Sequence, residues 1–135
     1  MAHVPSRAPG LLLFAPLDVI LADRPDETTI VQPDILYIAP DRMSLTSRRG
    51  MEGGPTLAVE ILSPSTRAID RGTKTRLYAR YGVPFLWLVD PEPRIVEAFV
   101  LEPGRYVLAG VVSGATPVDL PPFTGLGLVP DALWP

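Results

Sequence analysis

The sequence contains no cysteine, and its one histidine is His3. A disulfide framework and a thiolate metal site are therefore excluded, and neither histidine-based catalysis nor a histidine zinc site is expected. No apolar run approaches the ~20 residues of a membrane-spanning helix. The apolar run at 10–15 is also too short and too interrupted by proline for an export signal, so we expect a soluble, cytoplasmic protein.

An excess of basic charge is also missing. Lysine and arginine number 12 against 15 acidic residues, which gives a net charge of -3. Bulk electrostatic attraction to nucleic acid is therefore excluded, and any such function would depend on a local basic patch. The length of 135 residues and the hydrophobic content of 47% are sufficient for one domain with its own core.

Proline and glycine, by contrast, are abundant, with 17 and 11 residues spread along the chain. They divide the sequence into short apolar runs, which indicates a fold rich in strands. The predicted strands cover 14–21, 29–31, 35–39, 57–62, 85–89, 95–101 and 106–112, the last two as a hairpin. A single helix is predicted over about 66–81, after helix-start residues at 63–66 and before Gly82. We therefore expect one α/β (α+β) domain over 10–135, a mixed β-sheet with few helices, preceded by a disordered lead-in at 1–9.

The strand A-V-E-I-L at 58–62 contains a carboxylate, Glu60, in an apolar run. In strand alternation Glu60 shares its face with Ala58 and Leu62, both apolar. An unpaired buried carboxylate costs several kcal/mol. The strand alone leaves two interpretations open: either it lies at a sheet edge where Glu60 is wet, or Glu60 has a functional partner.

The helix favours the functional interpretation. At ~100° per residue, Asp70, Lys74, Leu77 and Tyr81 fall within an arc of about 60°, so an acid and a base lie in the apolar stripe. An i,i+4 ion pair is the simpler explanation for Asp70 and Lys74, but it does not explain their position in line with the stripe. Together with Asp34, which opens the preceding strand, these groups supply what metal-assisted phosphodiester hydrolysis needs.

Four segments carry a resemblance to a known family. They are P-D-I-L-Y-I at 33–38, A-V-E-I-L-S-P-S-T at 58–66, D-R-G-T-K-T-R-L-Y-A-R-Y-G-V-P at 70–84 and W-L-V-D-P at 87–91. In this order they resemble the Uma-type family of restriction endonucleases, within the PD-(D/E)xK nuclease superfamily. The resemblance extends from about residue 14 to the end of the chain, and implies a restriction-endonuclease-like fold with one main helix after the Glu60 strand.

The resemblance also implies roles for individual residues. Asp34 corresponds to the PD aspartate and Glu60 to the acidic residue of (D/E)xK, both as ligands of Mg²⁺, for which Mn²⁺ can substitute. The carbonyl of Ile61 is a further candidate ligand. Leu62 occupies the usual lysine position, so Lys74 on the following helix is the candidate lysine, with Asp70 as its orienting neighbour.

Two functions therefore remain as hypotheses: a Mg²⁺-dependent endonuclease that hydrolyses DNA, or a degenerate, non-catalytic domain that serves as a binding or assembly module. The candidate basic patch for DNA contains Arg48, Arg49, Arg67 and Arg71. For Arg76 and Arg80 two interpretations stay open, membership of this patch or a solvated helix face. The resemblance also implies a further N-terminal segment in relatives, and we expect this chain to begin after it. A sheet face left open in this way makes a homodimer the expected assembly.

Overall fold

The computed structural model describes residues 10–15, 18–24 and 27–134. The predicted lead-in at 1–9 lies outside this range. The strands are β1 (Leu11–Phe14), β2 (Val19–Arg24), β3 (Glu27–Val31), β4 (Ile35–Ile38), β5 (Thr46–Ser47), β6 (Gly50–Met51), β7 (Leu57–Ile61), β8 (Phe85–Asp90), β9 (Ile95–Glu102) and β10 (Arg105–Val112). Two short 3₁₀ helices span Pro40–Leu45 and Pro130–Leu133. None of the helices in the described part of the chain could cross a membrane.

Six strands form the main sheet, in the order β1-β4-β7-β8-β9-β10. The Glu60 strand, β7, lies inside this sheet, antiparallel to β4 and parallel to β8. The edge-strand interpretation of Glu60 is therefore wrong. The predicted hairpin is confirmed as β9 and β10, which pair antiparallel from Arg105 opposite Glu102 onwards.

The main helix runs without a break through three segments: α1 (Arg67–Ile69), a π-helical turn (Asp70–Lys74) and α2 (Thr75–Arg80). Ser63 and Thr66 fix its start, because each side-chain hydroxyl accepts a hydrogen bond from the other residue's backbone N–H. Gly82, at φ 76°, follows the helix in the left-handed conformation that glycine adopts readily. The predicted helix is thus confirmed to within a residue at each end.

The helix covers one face of the main sheet, which we call the inner face. Its core includes Leu36, Ala58, Leu86 and Leu88 from three neighbouring strands, packed with Tyr78 from the helix. Alternate residues of the same strands point to the other face, which we call the outer face. The residues of the outer face are only partly covered, by the C-terminal segment that includes Phe123 and Leu128.

Two predictions about the strands are wrong. The predicted strand at 14–21 is divided between β1 of the main sheet and β2 of a second sheet. Pro16, which has no N–H to donate to a ladder, lies in the interval between them. The segment 40–55, for which no strand was predicted, contains a 3₁₀ helix and the β5–β6 hairpin. The two strands of this hairpin join β2 and β3 in a four-stranded sheet of order β3-β2-β6-β5.

Candidate active site

Glu60 is buried on the inner face, with 1% of its surface exposed, at the carboxyl end of β7. Both carboxylate oxygens accept hydrogen bonds from the helix. Lys74 Nζ donates to Oε1 over 2.8 Å, and the Tyr78 hydroxyl donates to Oε2 over 2.5 Å. Burial raises the pKa of Glu60 above its ordinary value, and the hydrogen bonds from Lys74 and Tyr78 act in the opposite direction. Glu60 is therefore a buried carboxylate held by two donors.

Lys74 joins three parts of the fold. Its ammonium group contacts Glu60, donates to the backbone oxygen of Gln32 over 3.2 Å and lies 3.7 Å from Asp70 Oδ1. The side chain is still about a quarter exposed, at 23%. Lys74 thus ties the helix to β7 and to the segment before β4. Since Asp70 is itself buried, the predicted convergence of Glu60, Lys74 and Asp70 is present in the structure.

Tyr78 belongs to the same cluster, although the helix stripe predicted from the sequence did not include it. It is completely buried, and burial raises the pKa of its hydroxyl, which the neighbouring Glu60 carboxylate raises further. The π-helical turn explains why the 3.6-residue period placed Tyr81, and not Tyr78, in the stripe. A π turn inserts an extra residue, which advances the inward face by one position. Tyr81 is only half-buried.

Asp34 lies next to this cluster on β4. Ile35 pairs with Val59, so continuing the antiparallel register by one residue places Asp34 opposite Glu60. The Asp34 carboxylate is half-buried, and its Oδ2 accepts a hydrogen bond from the Ile61 N–H over 2.7 Å. No side chain or backbone group of the described residues donates to its other oxygen. The two carboxylates that the sequence paired therefore come from neighbouring strands at the same end of the sheet.

These groups fit a hard divalent cation. Mg²⁺ binds oxygen ligands, and proteins commonly supply only one or two carboxylates while water and substrate phosphate complete the shell. Asp34 keeps a carboxylate oxygen without a hydrogen bond, and each Glu60 oxygen has a second lone pair beyond its one donor. No group of three or more acidic, histidine or cysteine side chains placed to hold a metal exists among the described residues. The site therefore fits a cation only as a two-carboxylate site.

The predicted DNA contacts Arg67 and Arg71 lie at the start of the helix, where acidic residues of β8 and β9 surround them. Arg67 donates to the buried Asp90 and lies 3.3 Å from Glu92. Arg71 lies 2.5 Å from Glu97 and 3.6 Å from Asp90. These ion pairs fasten the start of the helix to the sheet and offset the charge of both arginines.

The other two predicted contacts, Arg48 and Arg49, form the tip of the β5–β6 hairpin. Arg49 forms an ion pair with Glu52 over 3.1 Å. Arg48 is exposed, and no acidic group of the described chain lies within ion-pair distance of it. Of the four predicted arginines, Arg48 is thus the one whose charge no neighbouring carboxylate offsets.

Comparisons with known proteins agree with this architecture. The model of the Uma2 family, described as "Putative restriction endonuclease", matches residues 2–132. One of the matching solved structures is a "putative nuclease belonging to DUF820" from Anabaena variabilis, with a TM-score of 0.68 and 20% identity over 93% of this chain and 68% of that chain. No curated protein matches the sequence. At this identity the structural likeness concerns the fold, and it confirms the predicted restriction-endonuclease-like α+β architecture.

Proposed function

Since the chain belongs to the Uma2 family, which is described as putative restriction endonucleases, we propose that it is a Mg²⁺-dependent endonuclease that hydrolyses phosphodiester bonds of DNA in the cytoplasm. The observation that carries the proposal is the buried Glu60 carboxylate with Lys74 bonded to it and Asp34 on the neighbouring strand. A structural ion pair would not require a second carboxylate beside it.

In this proposal Asp34 and Glu60 would hold the cation, and the Ile61 carbonyl would be a further ligand. When bound, the metal would polarise the scissile phosphate and lower the pKa of a water molecule. Asp34 is oriented for this role by the Ile61 N–H, and Glu60 by the Tyr78 hydroxyl. Both are positioned before substrate arrives, so little reorganisation is needed.

Lys74 would bind and orient the phosphate that is cut. Its ammonium carries three donor hydrogens and is partly exposed, and among the residues that the structure describes it is the one cation in contact with Glu60. A phosphate oxygen beside Glu60 could replace the Gln32 carbonyl as an acceptor, because the hydrogen bond from Lys74 to Gln32 is longer than the one to Glu60. Asp70, 3.7 Å away and buried, would direct the ammonium towards the site.

The proposal is tested first by isothermal titration of Mn²⁺ into the wild type and into Glu60→Gln. We expect heat of binding from the wild type and its loss in the variant, because the amide supplies no charge to the cation. The wild type should also melt at a higher temperature with Mg²⁺ or Mn²⁺, since a ligand that binds only the native state stabilises it.

Glu102→Gln serves as the matched control, because Glu102 is exposed at the end of β9 and makes no ion pair with any described residue. It should bind Mn²⁺ like the wild type. If neither the wild type nor the control binds metal, the enzyme proposal fails. The non-catalytic binding or assembly module would then account better for the retained fold.

We also propose that the protein is a homodimer whose interface is the outer face of the main sheet. A groove of about 300 Å³ on this face is lined by apolar side chains alone, among them Leu12, Val59 and Trp87. Phe14 beside it is 62% exposed. A lining without charge does not suit DNA, whereas a two-fold dimer brings the same apolar patch together from both copies.

We expect Leu12→Asp/Phe14→Asp to convert the dimer into a monomer. Light scattering after size exclusion should give twice the 14.6 kDa chain mass for the wild type and 14.6 kDa for the variant. Leu108→Asp is the control, since Leu108 is equally exposed on β10 at the opposite edge of the sheet. A wild type that is already monomeric, or a dimer that survives the double substitution, would contradict this interface.

A further inference from the structure

A second cleft lies on the side of the helix away from the Glu60 cluster, between α2 and the turn of the β9–β10 hairpin. Its volume is about 460 Å³. The helix lines it with Thr75, Arg76, Ala79 and Arg80, and the hairpin lines it with Gly104, Arg105 and Tyr106. We call it the arginine cleft, because three guanidinium groups from two elements line it.

The charges of the arginine cleft are not neutralised. Arg76, Arg80 and Arg105 are all exposed, and within the described ranges no carboxylate lies within 4 Å of their guanidinium nitrogens. Glu102 is the strand partner of Arg105 and still forms no ion pair with it. Arg67 and Arg71 differ in this respect, because each forms an ion pair with an acidic side chain. A protein of net charge -3 thus keeps a concentrated positive site here.

Contacts within the walls of the cleft join the elements that carry the three arginines. Tyr106 donates its hydroxyl to the backbone oxygen of Val83 over 2.6 Å, which joins the hairpin to the segment after the helix. Thr75 donates to the Asp70 carbonyl and is not available to a ligand as a donor. The Arg80 guanidinium lies 5.4 Å from the centre of the Tyr81 ring, a cation–π distance. The three arginines are therefore the side-chain donors that the cleft offers, and their charge favours an anion.

We propose that the arginine cleft binds the phosphate backbone of duplex DNA next to the stretch that is cut. This inference rests on the proposed function. Guanidinium groups bind phosphate oxygens through paired N–H donors and do so without reading sequence. Because Lys74 points to Glu60 while Arg76 and Arg80 line the opposite side of the helix, the cleft would hold flanking duplex and leave the scissile phosphate to the Glu60 cluster.

The test is fluorescence anisotropy with a labelled DNA duplex in EDTA, so that binding is measured without cleavage. We expect Arg76→Gln/Arg80→Gln/Arg105→Gln to bind at least roughly tenfold more weakly than the wild type at about 100 mM salt. Three lost phosphate contacts should also reduce the slope of log Kd against log salt by about 2.7. Unchanged circular dichroism and Tm would show that the variant folds.

A matched pair of single variants separates the effect of a local contact on DNA binding from the effect of the protein's net charge. Arg105→Gln and Arg94→Gln each remove one exposed arginine at a hairpin turn, but only Arg105 lines the cleft. We expect weaker binding from Arg105→Gln and wild-type binding from Arg94→Gln. Equal binding by the triple variant and the wild type would overturn the inference and leave the proposed nuclease untouched. Failure of the wild type to bind duplex would also overturn it, whereas the nuclease is judged separately, by cleavage and metal binding.

Discussion

Glu60→Gln and Asp34→Asn should each lower the rate of Mg²⁺-dependent cleavage of plasmid DNA by at least about 10³-fold. Loss of an outer-shell partner of a metal ligand alone costs 10–100-fold in affinity or activity, so loss of a direct ligand should cost more. Both substitutions keep the size of the side chain. In Asp34→Asn the amide oxygen can accept from the Ile61 N–H. In Glu60→Gln the amide oxygen can accept from Lys74, and the amide NH₂ can donate to the Tyr78 hydroxyl oxygen. The rate should therefore fall without unfolding.

The measurement is the conversion of supercoiled to nicked and linear plasmid over time, with Tm recorded for every variant. Glu102→Gln, the exposed acid at the end of β9, should cleave like the wild type. Cleavage that persists in the purified Asp34→Asn/Glu60→Gln double variant would rule out this site. A wild type that binds Mn²⁺ but cuts neither DNA nor RNA would place the chemistry on a different substrate.

The sequence was sufficient to predict that Glu60, Asp70 and Lys74 meet. Alternation on β7 placed Glu60 among apolar residues, and the helix that follows a strand directly must pack on that strand's own sheet. The single helix and the β9–β10 hairpin were also predictable, because glycine and proline mark their ends. Such features depend on residues close together in the chain, where local rules operate.

The features that were missed depend on contacts between distant residues. Asp90 and Glu97 are 23 and 26 positions away from the arginines that they bind, so no local pattern indicated that Arg67 and Arg71 would be neutralised. The pairing of β2 with β6 joins segments that are even further apart in the chain. The π-helical turn is different in kind, because the sequence at 70–74 gives no signal that one residue is inserted. That insertion moved Tyr78 into the site.

Lys74→Met should destabilise the protein by about 3 kcal/mol near pH 8, because removing one partner of a buried ion pair leaves the other charge uncompensated. The exposed Arg76, two residues further along the same helix, provides the control: Arg76→Met should change the free energy of unfolding by less than about 0.5 kcal/mol. Chemical denaturation followed by circular dichroism measures both values. A small effect of Lys74→Met would mean that water, and not lysine, satisfies Glu60.

The destabilisation should also depend on pH in a defined direction. Burial already raises the pKa of Glu60 above its ordinary value of 4.5, and the loss of Lys74 removes the main opposing influence. Between 4.5 and the raised pKa the native state binds a proton that the unfolded state does not, so the stability of Lys74→Met should fall as the pH rises through this window. Below the window the carboxyl is neutral in both states, and the difference from the wild type should be smallest.

Adding a substitution at Glu60 to Lys74→Met identifies the cause of the destabilisation. In Glu60→Gln/Lys74→Met the buried group carries no charge at any pH, and Tyr78 can still donate to the amide oxygen. We expect this double variant to be more stable than Lys74→Met near pH 8, and its own stability should lack the pH dependence that Glu60 causes. If the double variant were instead no more stable than Lys74→Met, the cost would come from the lost packing of the lysine side chain, which both variants lack. The ion pair would then be a minor part of what holds the helix to β7.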